Sequence, residues 1–280
     1  MGRIFILITS LFILVSCQDV VDVDLPTDAS RLVVDALIRI DENQPFTDVT
    51  IRLSQTSSYF TEVEALSGAD VGLTRENSTD NAVVLEETNP GTYEARISTH
   101  FLTSAPLIMG ISIADEIYVA RATYVPSVPL DDVKQGTGTL FGGEETEIVI
   151  SFTDEPDRTD YYLFDLDYGE YLVSEDTFYP GQSFGFSYFY DDGLQSGMSL
   201  EVAILGVDLP FYNYMGQLIL QSTAADQGPF QTPVATVRGN IINATGNEDV
   251  NSIDAIVPHE NFALGYFALC QEYTDSIIIE

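Results

Sequence analysis

The chain has 280 residues, with 10 Lys and Arg against 44 Asp and Glu and a formal charge of −34. A body this acidic is repelled by nucleic acid and by anionic lipid surfaces, which removes nucleic-acid binding from the function classes to consider. Hydrophobic residues make up 45% and aromatic residues 11% of the chain, enough to bury a core, and the length allows one large or two ordinary domains.

In chain order, Met1-Gly2-Arg3 supplies a short basic start, and residues 4–15 (IFILITSLFILV) form an uncharged apolar run. That run is shorter than the roughly 20 residues a helix needs to span hydrocarbon and suits the apolar part of a secretory signal. It ends at Leu14-Val15-Ser16-Cys17, which resembles a bacterial lipobox. Small residues before the cut let the peptidase approach, and only a thiol can form the thioether to diacylglycerol. Residues 1–16 are therefore expected to be a lipoprotein signal peptide, Cys17 the site of lipid attachment, and residues 17–30 an acidic tether. Each buried methylene contributes about 0.8 kcal/mol and a single chain holds only reversibly, so the two or three chains of a lipoprotein cysteine imply a permanent membrane anchor. That covalent lipid is the only prosthetic group expected. With Cys17 acylated, Cys270 has no partner for an intrachain disulfide. Cys270 shares strand parity with Leu264, Tyr266 and Ala268, the setting of a small buried hydrophobe.

From residue 31 the pattern turns to β. Residues 31–40, 48–53, 69–74, 92–97, 107–113 and 116–124 are short and β-branched, and turn residues such as Asn89-Pro90-Gly91 separate them. This spacing predicts an immunoglobulin-like sandwich over residues 31–125. Pro126 and Pro129 mark a hinge to a second β-rich domain over residues 126–280. There, residues 146–153, 161–168, 199–207 and 235–242 read as strands, and residues 277–280 as a closing one. Residues 209–223 (LPFYNYMGQLILQST) predict one helix, with Pro210 at its first position and Tyr214 and Leu218 at helical spacing. Gly228 to Pro233 breaks it. The fold class is mainly β.

Chemistry-bearing motifs are sparse. Gly181-Gln182-Ser183-Phe184-Gly185 matches a nucleophile elbow in letters, but an elbow needs a helix after its serine. Here Phe184, Phe186, Tyr188 and Tyr190 alternate as in a strand, so Ser183 reads as a turn residue, and His259 is the one histidine downstream of it. His100 and His259 show no metal-ligand spacing. Acidic clusters at residues 154–160 and 247–254 could offer oxygens to calcium, yet neither follows EF-hand spacing, and solvated loops are the simpler expectation. The aromatic stretch from Phe178 to Tyr190 could stack on sugars or bind protein. With 15 Tyr and no Trp, core packing is the preferred reading.

Several segments together resemble the Bacteroidota lipoproteins grouped as domain-of-unknown-function family 4249. They are Cys17 with Val23-Asp24-Leu25-Pro26, strand 31–40, Ser67-Gly68-Ala69-Asp70-Val71 and Asn89-Pro90-Gly91-Thr92-Tyr93. Others are residues 125–133, Phe152-Thr153-Asp154-Glu155-Pro156 with Tyr161-Tyr162, Gly228-Pro229-Phe230, Val237-Arg238-Gly239-Asn240-Ile241 and Leu264-Gly265-Tyr266-Phe267. The resemblance covers essentially the whole mature chain. It implies an outer-membrane lipoprotein, commonly encoded beside a TonB-dependent receptor, and carries over no catalytic or ligand residue. The first half also looks like the carboxypeptidase-regulatory sandwiches that extend such receptors, a likeness of fold that does not fix function. Asp19, Asp22 and Asp24 resemble the surface-export signals of Bacteroidota lipoproteins.

The expectation is thus a non-enzymatic lipoprotein of the outer membrane, exposed at the cell surface, that partners a TonB-dependent β-barrel transporter. The alternative is a surface adhesion or glycan-binding module. Phe211, Tyr212 and Tyr214 on the expected helix are the candidate partner contacts, since large, low-entropy aromatics dominate interfaces; the competing reading is that the helix caps the sheet and buries them.

Overall fold

A computed structural model describes residues 30–57, 63–78, 81–140, 142–143, 145–191, 194–224, 236–247, 253–258 and 261–280. The signal peptide, Cys17, most of the tether, residues 228–233 and His259 lie outside them. The first part of the chain forms β1 (Leu32–Ile40), β2 (Phe46–Gln55), β3 (Glu64–Ala65), β4 (Asp70–Arg75), β5 (Val83–Asn89) and β6 (Thr92–Ser98). A short helix α1 (Thr99–Thr103) follows, then β7 (Leu107–Ile113), β8 (Glu116–Ala122) and β9 (Tyr124–Val125). The second part forms β10 (Leu130–Gln135), β11 (Thr146–Thr153), β12 (Tyr161–Asp165), β13 (Tyr171–Glu175), β14 (Ser183–Tyr190) and β15 (Ser199–Val207). The long helix α2 (Leu209–Ala224), β16 (Ile242–Asn243) and β17 (Leu264–Ile278) complete it.

One sheet runs through both parts, in the order β13-β12-β15-β17-β1-β2-β6-β5-β4-β7-β8-β16, and a separate small sheet runs β10-β11-β14. The long sheet folds over at β5. Glu86 and Glu87 of that strand pair with β6, while Val83 to Leu85 pair with β4. The alternation in β1 sends Leu32, Val34, Ala36, Ile38 and Ile40 inward. They meet Val71 and Leu73 of β4, Met109 and Ile111 of β7 and Tyr118 of β8 in one core. This is the expected sandwich, closed by folding a sheet on itself. In the second part, Ile148, Ile150 and Phe152 of the small sheet face Tyr162, Phe164, Val202 and Ile204 of the long one. α2 covers the opposite face of β12, β15 and β17. The mainly β class, with a sandwich first and one helix in the second part, follows the sequence reading.

β17 joins the two. Its first half, Leu264 to Gln271, runs parallel to β1, and its second half, Glu272 to Ile278, antiparallel to β15. Phe267 and Leu269 enter the first core, Tyr266, Ala268 and Cys270 the layer under α2, and Tyr273 and Ile277 pack on the second core. The strands on either side of residue 126 therefore share one hydrogen-bonded sheet. The closing strand expected at residues 277–280 is the end of the longer β17, which also takes in the polar run Gln271-Glu272-Tyr273-Thr274-Asp275-Ser276. Pairing with β15 overrides that composition, as tertiary context routinely does for strands.

The strand expected at residues 235–242 is also corrected. Among its described residues only Ile242 is in a strand. A Cβ on Gly239 would sit 1.6 Å from the Gly265 carbonyl oxygen, and one on Gly265 (φ +96°) 1.8 Å from that of Val34. Two backbones cross where only glycine fits. The Asn240 side chain then does what a strand would do there. Its amide donates to the carbonyls of Arg121 (3.0 Å) and Phe267 (2.8 Å), and its oxygen accepts the Phe267 N–H at 2.9 Å.

Candidate functional site

Several segments that carry the family resemblance touch one another, and their contacts are architectural. Glu87 accepts the N–H of Gly68 (3.0 Å) and of Gly91 (2.9 Å) through its two carboxylate oxygens. Those bonds, the Gly68 one foremost, hold its carboxyl below the usual range. Gly91 adopts φ +70° and lies against the Leu53 carbonyl. The Tyr93 hydroxyl accepts the Ala69 N–H at 2.9 Å and donates to the Leu66 carbonyl at 3.2 Å. Ser67-Gly68-Ala69 and Asn89-Pro90-Gly91-Thr92-Tyr93 are thus two sides of one knot, just as Val237 to Ile241 and Leu264 to Phe267 meet at the glycine crossing.

The acidic segment 154–160 divides. Glu155 and Asp157 are exposed, but Asp154 and Asp160 are buried, contrary to a wholly solvated loop. Asp154 accepts the Tyr162 hydroxyl at 2.5 Å and the Gly181 N–H at 2.9 Å, and Asp160 pairs with Arg158. Buried carboxylates persist when hydrogen bonds and an ion pair compensate them. In the second cluster Asp254 pairs with Arg121 at 3.0 Å, and Arg121 also holds Glu76 at 2.5 Å. Among the described residues no three acids, histidines or cysteines come together as a metal site.

Ser183 opens β14 and continues into strand, so the strand-turn-helix geometry of an elbow is not formed there. His100 is exposed on α1. The inward aromatics of β14 pack as the sequence reading preferred. Phe184 stacks on Tyr179 with ring centroids 4.3 Å apart, Phe186 meets Phe164 at 5.0 Å, and Tyr190 is buried. Phe178, on the turn before them, is 86% exposed.

In α2 the Asp208 carboxylate accepts the Phe211 N–H at 2.8 Å and caps the helix, which starts at Leu209 and leaves Pro210 in second place. Phe211 is buried against Tyr266 at 4.8 Å, while Tyr212 and Tyr214 are half-buried, meeting Tyr161 at 5.2 Å and Tyr266 at 5.1 Å. Phe211 is thereby a core residue. Leu209, Leu218 and Leu220 are the exposed leucines of α2. Cys270, 1% exposed beneath the helix, has its thiol pushed well above the ordinary range by burial.

Two of the surface depressions lie on the first sandwich. A shallow one of about 600 Å³ lies among Asp48, Glu86, Glu94 and Arg96 on β2, β5 and β6. A smaller one of about 250 Å³ is almost wholly apolar, with Gly72 and Gly110, cross-strand partners on β4 and β7, between Ile108 and Val119. Neither brings a nucleophile beside a base. Sequence reasoning missed both, since they depend on strand pairing across long loops.

No curated protein matches the chain. A DUF4785 family protein from Legionella pneumophila, known from a crystal structure, shares 15% identity over 65% of this chain and 53% of that one, with a TM-score of 0.24. This chain spans about half the length of that protein, and a likeness so slight carries no argument. The family described as Domain of unknown function (DUF4249) matches residues 18–251, and the chain belongs to that family.

Proposed function

We propose that the protein is a lipoprotein held in the outer membrane through Cys17 and that it serves, without catalysis of its own, as an accessory or binding partner of a TonB-dependent transporter. The observation that carries this reading is the opening of the chain, where a basic start, an apolar run of signal length and Leu14-Val15-Ser16-Cys17 occur in that order. Membership of the family supports it. The segments that mark the resemblance are engaged in backbone crossings and turn knots, as suits a scaffold. Cys17→Ala is expected to lose its acyl chains, as read by intact mass, and to leave an unprocessed or soluble species. Wild type, extracted in detergent after cross-linking, is expected to bring a β-barrel receptor with it. Acyl chains on the Cys17 variant would overturn the anchor, and repeated recovery without a barrel partner would overturn the partnership.

The second reading, a glycan-binding or adhesion module, draws on Phe178. That ring is 86% exposed and follows Thr177, which lines a depression with Pro156, Arg158 and Pro180; an exposed aromatic of this kind could stack on a sugar face. Binding on a glycan array that Phe178→Ala abolishes would favour it over the transporter reading.

A further inference from the structure

The edges of the two sheets are unequal. The long sheet ends on β13, which carries Glu175 and lies against α2, and on β16, which is two residues long. The small sheet ends on β10, whose Asp131, Asp132 and Lys134 are charged, and on β14. β14 reads SFGFSYFY, eight residues without a charge or a proline, in a chain where 19% of residues are charged. Charge, proline, shortness or a cover is what usually keeps a sheet edge from pairing with another strand. Among the described residues, β14 has none of these.

One side of β14 pairs with β11 from Thr146↔Tyr190 to Thr153↔Ser183. Among the described residues no backbone hydrogen bond reaches its other side. Since an antiparallel strand turns alternate N–H and C=O groups to each side, a row of donors and acceptors is left facing outward. The inward side chains beside that row, Phe184, Phe186 and Tyr188, pack on the second core yet stay only half-buried. The small sheet also sets three strands against the four formed by β13, β12, β15 and β17. On this flank Tyr188 donates to Glu170 at 2.7 Å, and Tyr179, stacked on Phe184, bonds Ser174 of β13. A strand added to β14 would bury the half-exposed rings and extend the shorter sheet.

We propose that the free edge of β14 takes an extended segment of a partner protein as a fourth strand, with apolar residues facing Phe184, Phe186 and Tyr188 and Lys or Arg facing outward. Only an extended backbone matches the ladder. The outward face of the small sheet carries Glu147, opposite Phe189 and one strand in from this edge, in a chain of charge −34, which selects a cationic segment over a second copy of this acidic chain. The proposal goes beyond the transporter reading and does not depend on it.

The test uses the whole mature chain with a nine-residue peptide that alternates valine and lysine, and with the same peptide carrying two central prolines. Proline keeps the charge and removes ladder donors. Saturable binding of the first peptide, followed by anisotropy, is expected together with slowed amide exchange confined to residues 183–190. The proline peptide should bind at least about tenfold more weakly, the loss expected from one or two amide bonds. The S183K/S187K double change, at exposed positions, should weaken the first peptide and leave the melting temperature unmoved. Equal binding of both peptides, protection elsewhere, or no binding at all would overturn the proposal. Protection of β14 that grows with protein concentration in the absence of peptide would instead make a second copy the occupant and overturn it too.

Discussion

The two sandwiches solve the same problem differently. In the first, the chain closes its own borders: β5 folds the sheet over, Glu87 ties two turns together, and Asn240 stands in for a missing strand beside Phe267. In the second, α2 covers one face but the small sheet stops at β14, with uncharged backbone and half-buried rings at its margin. Side chains that mark the family are largely absorbed by structure in the first region, and the surface fit for a partner lies in the second. Most of what identifies this chain thus differs from what it would use to bind.

The largest effect should come from the strand the two regions share. Gly265→Ala places a Cβ 1.8 Å from the Val34 carbonyl at φ +96°. Backbone strain and overpacking together should cost about 3 kcal/mol or more. Because β17 pairs with both β1 and β15, denaturant unfolding followed by probes in each region should shift together. A shift confined to one region would show that the sandwiches are energetically separate. Next comes the layer under α2, where Phe211→Ala should cost about 3–5 kcal/mol as a buried aromatic, while Phe178→Ala at its exposed turn should stay within about 0.5 kcal/mol. Equal destabilisation by the two changes would contradict the assignment of Phe211 to the core.

A smaller effect is pH-dependent. Glu87 is held below its ordinary value of 4.5 by the N–H groups of Gly68 and Gly91. A carboxylate whose folded value is depressed contributes its stability above the unfolded value and loses it as pH falls through the folded one. Glu87→Gln should therefore lower the melting temperature at neutral pH, and the gap from wild type should close on acidification below 4.5. A gap that widens in acid would reverse the sign. Smallest of all, Cys270 should resist iodoacetamide in the native protein and react only on unfolding, because burial both hides the thiol and keeps it protonated.

Much of this architecture was legible in the sequence, because period-two alternation and turn residues are local signals. β1, β2, β11, β15 and α2 fall where the pattern puts them. What escaped depends on contacts between distant residues. The polar run Gln271–Ser276 carries no local strand signal and is strand because β15 pairs with it, and the polar residues of β5, β10 and β13 hide their alternation. Burial of Asp154 and Asp160 needed Tyr162, Gly181 and Arg158 in place. At the candidate site, the aromatic alternation in residues 184–190 announced a strand, and a preference for the core was correct as far as it went. That the strand would be an edge could not be read locally, since edge or centre is decided by which other strands arrive. Phe211 illustrates the same limit: helical spacing marks a stripe, and only the tertiary fold says whether sheet or solvent lies beneath it.

The contrast between a closed first sandwich and an open second one is tested most directly by amide hydrogen exchange on the isolated mature chain. Residues 33–35 of β1, 203–205 of β15 and 269–270 of β17 have strand partners on both sides and should exchange slowest. In β14, alternate amides should exchange as fast as those of loops while the intervening ones, bonded to β11, stay protected. Uniform slow exchange across residues 183–190 in dilute monomer would contradict the account, because it would mean the edge is already satisfied within the chain.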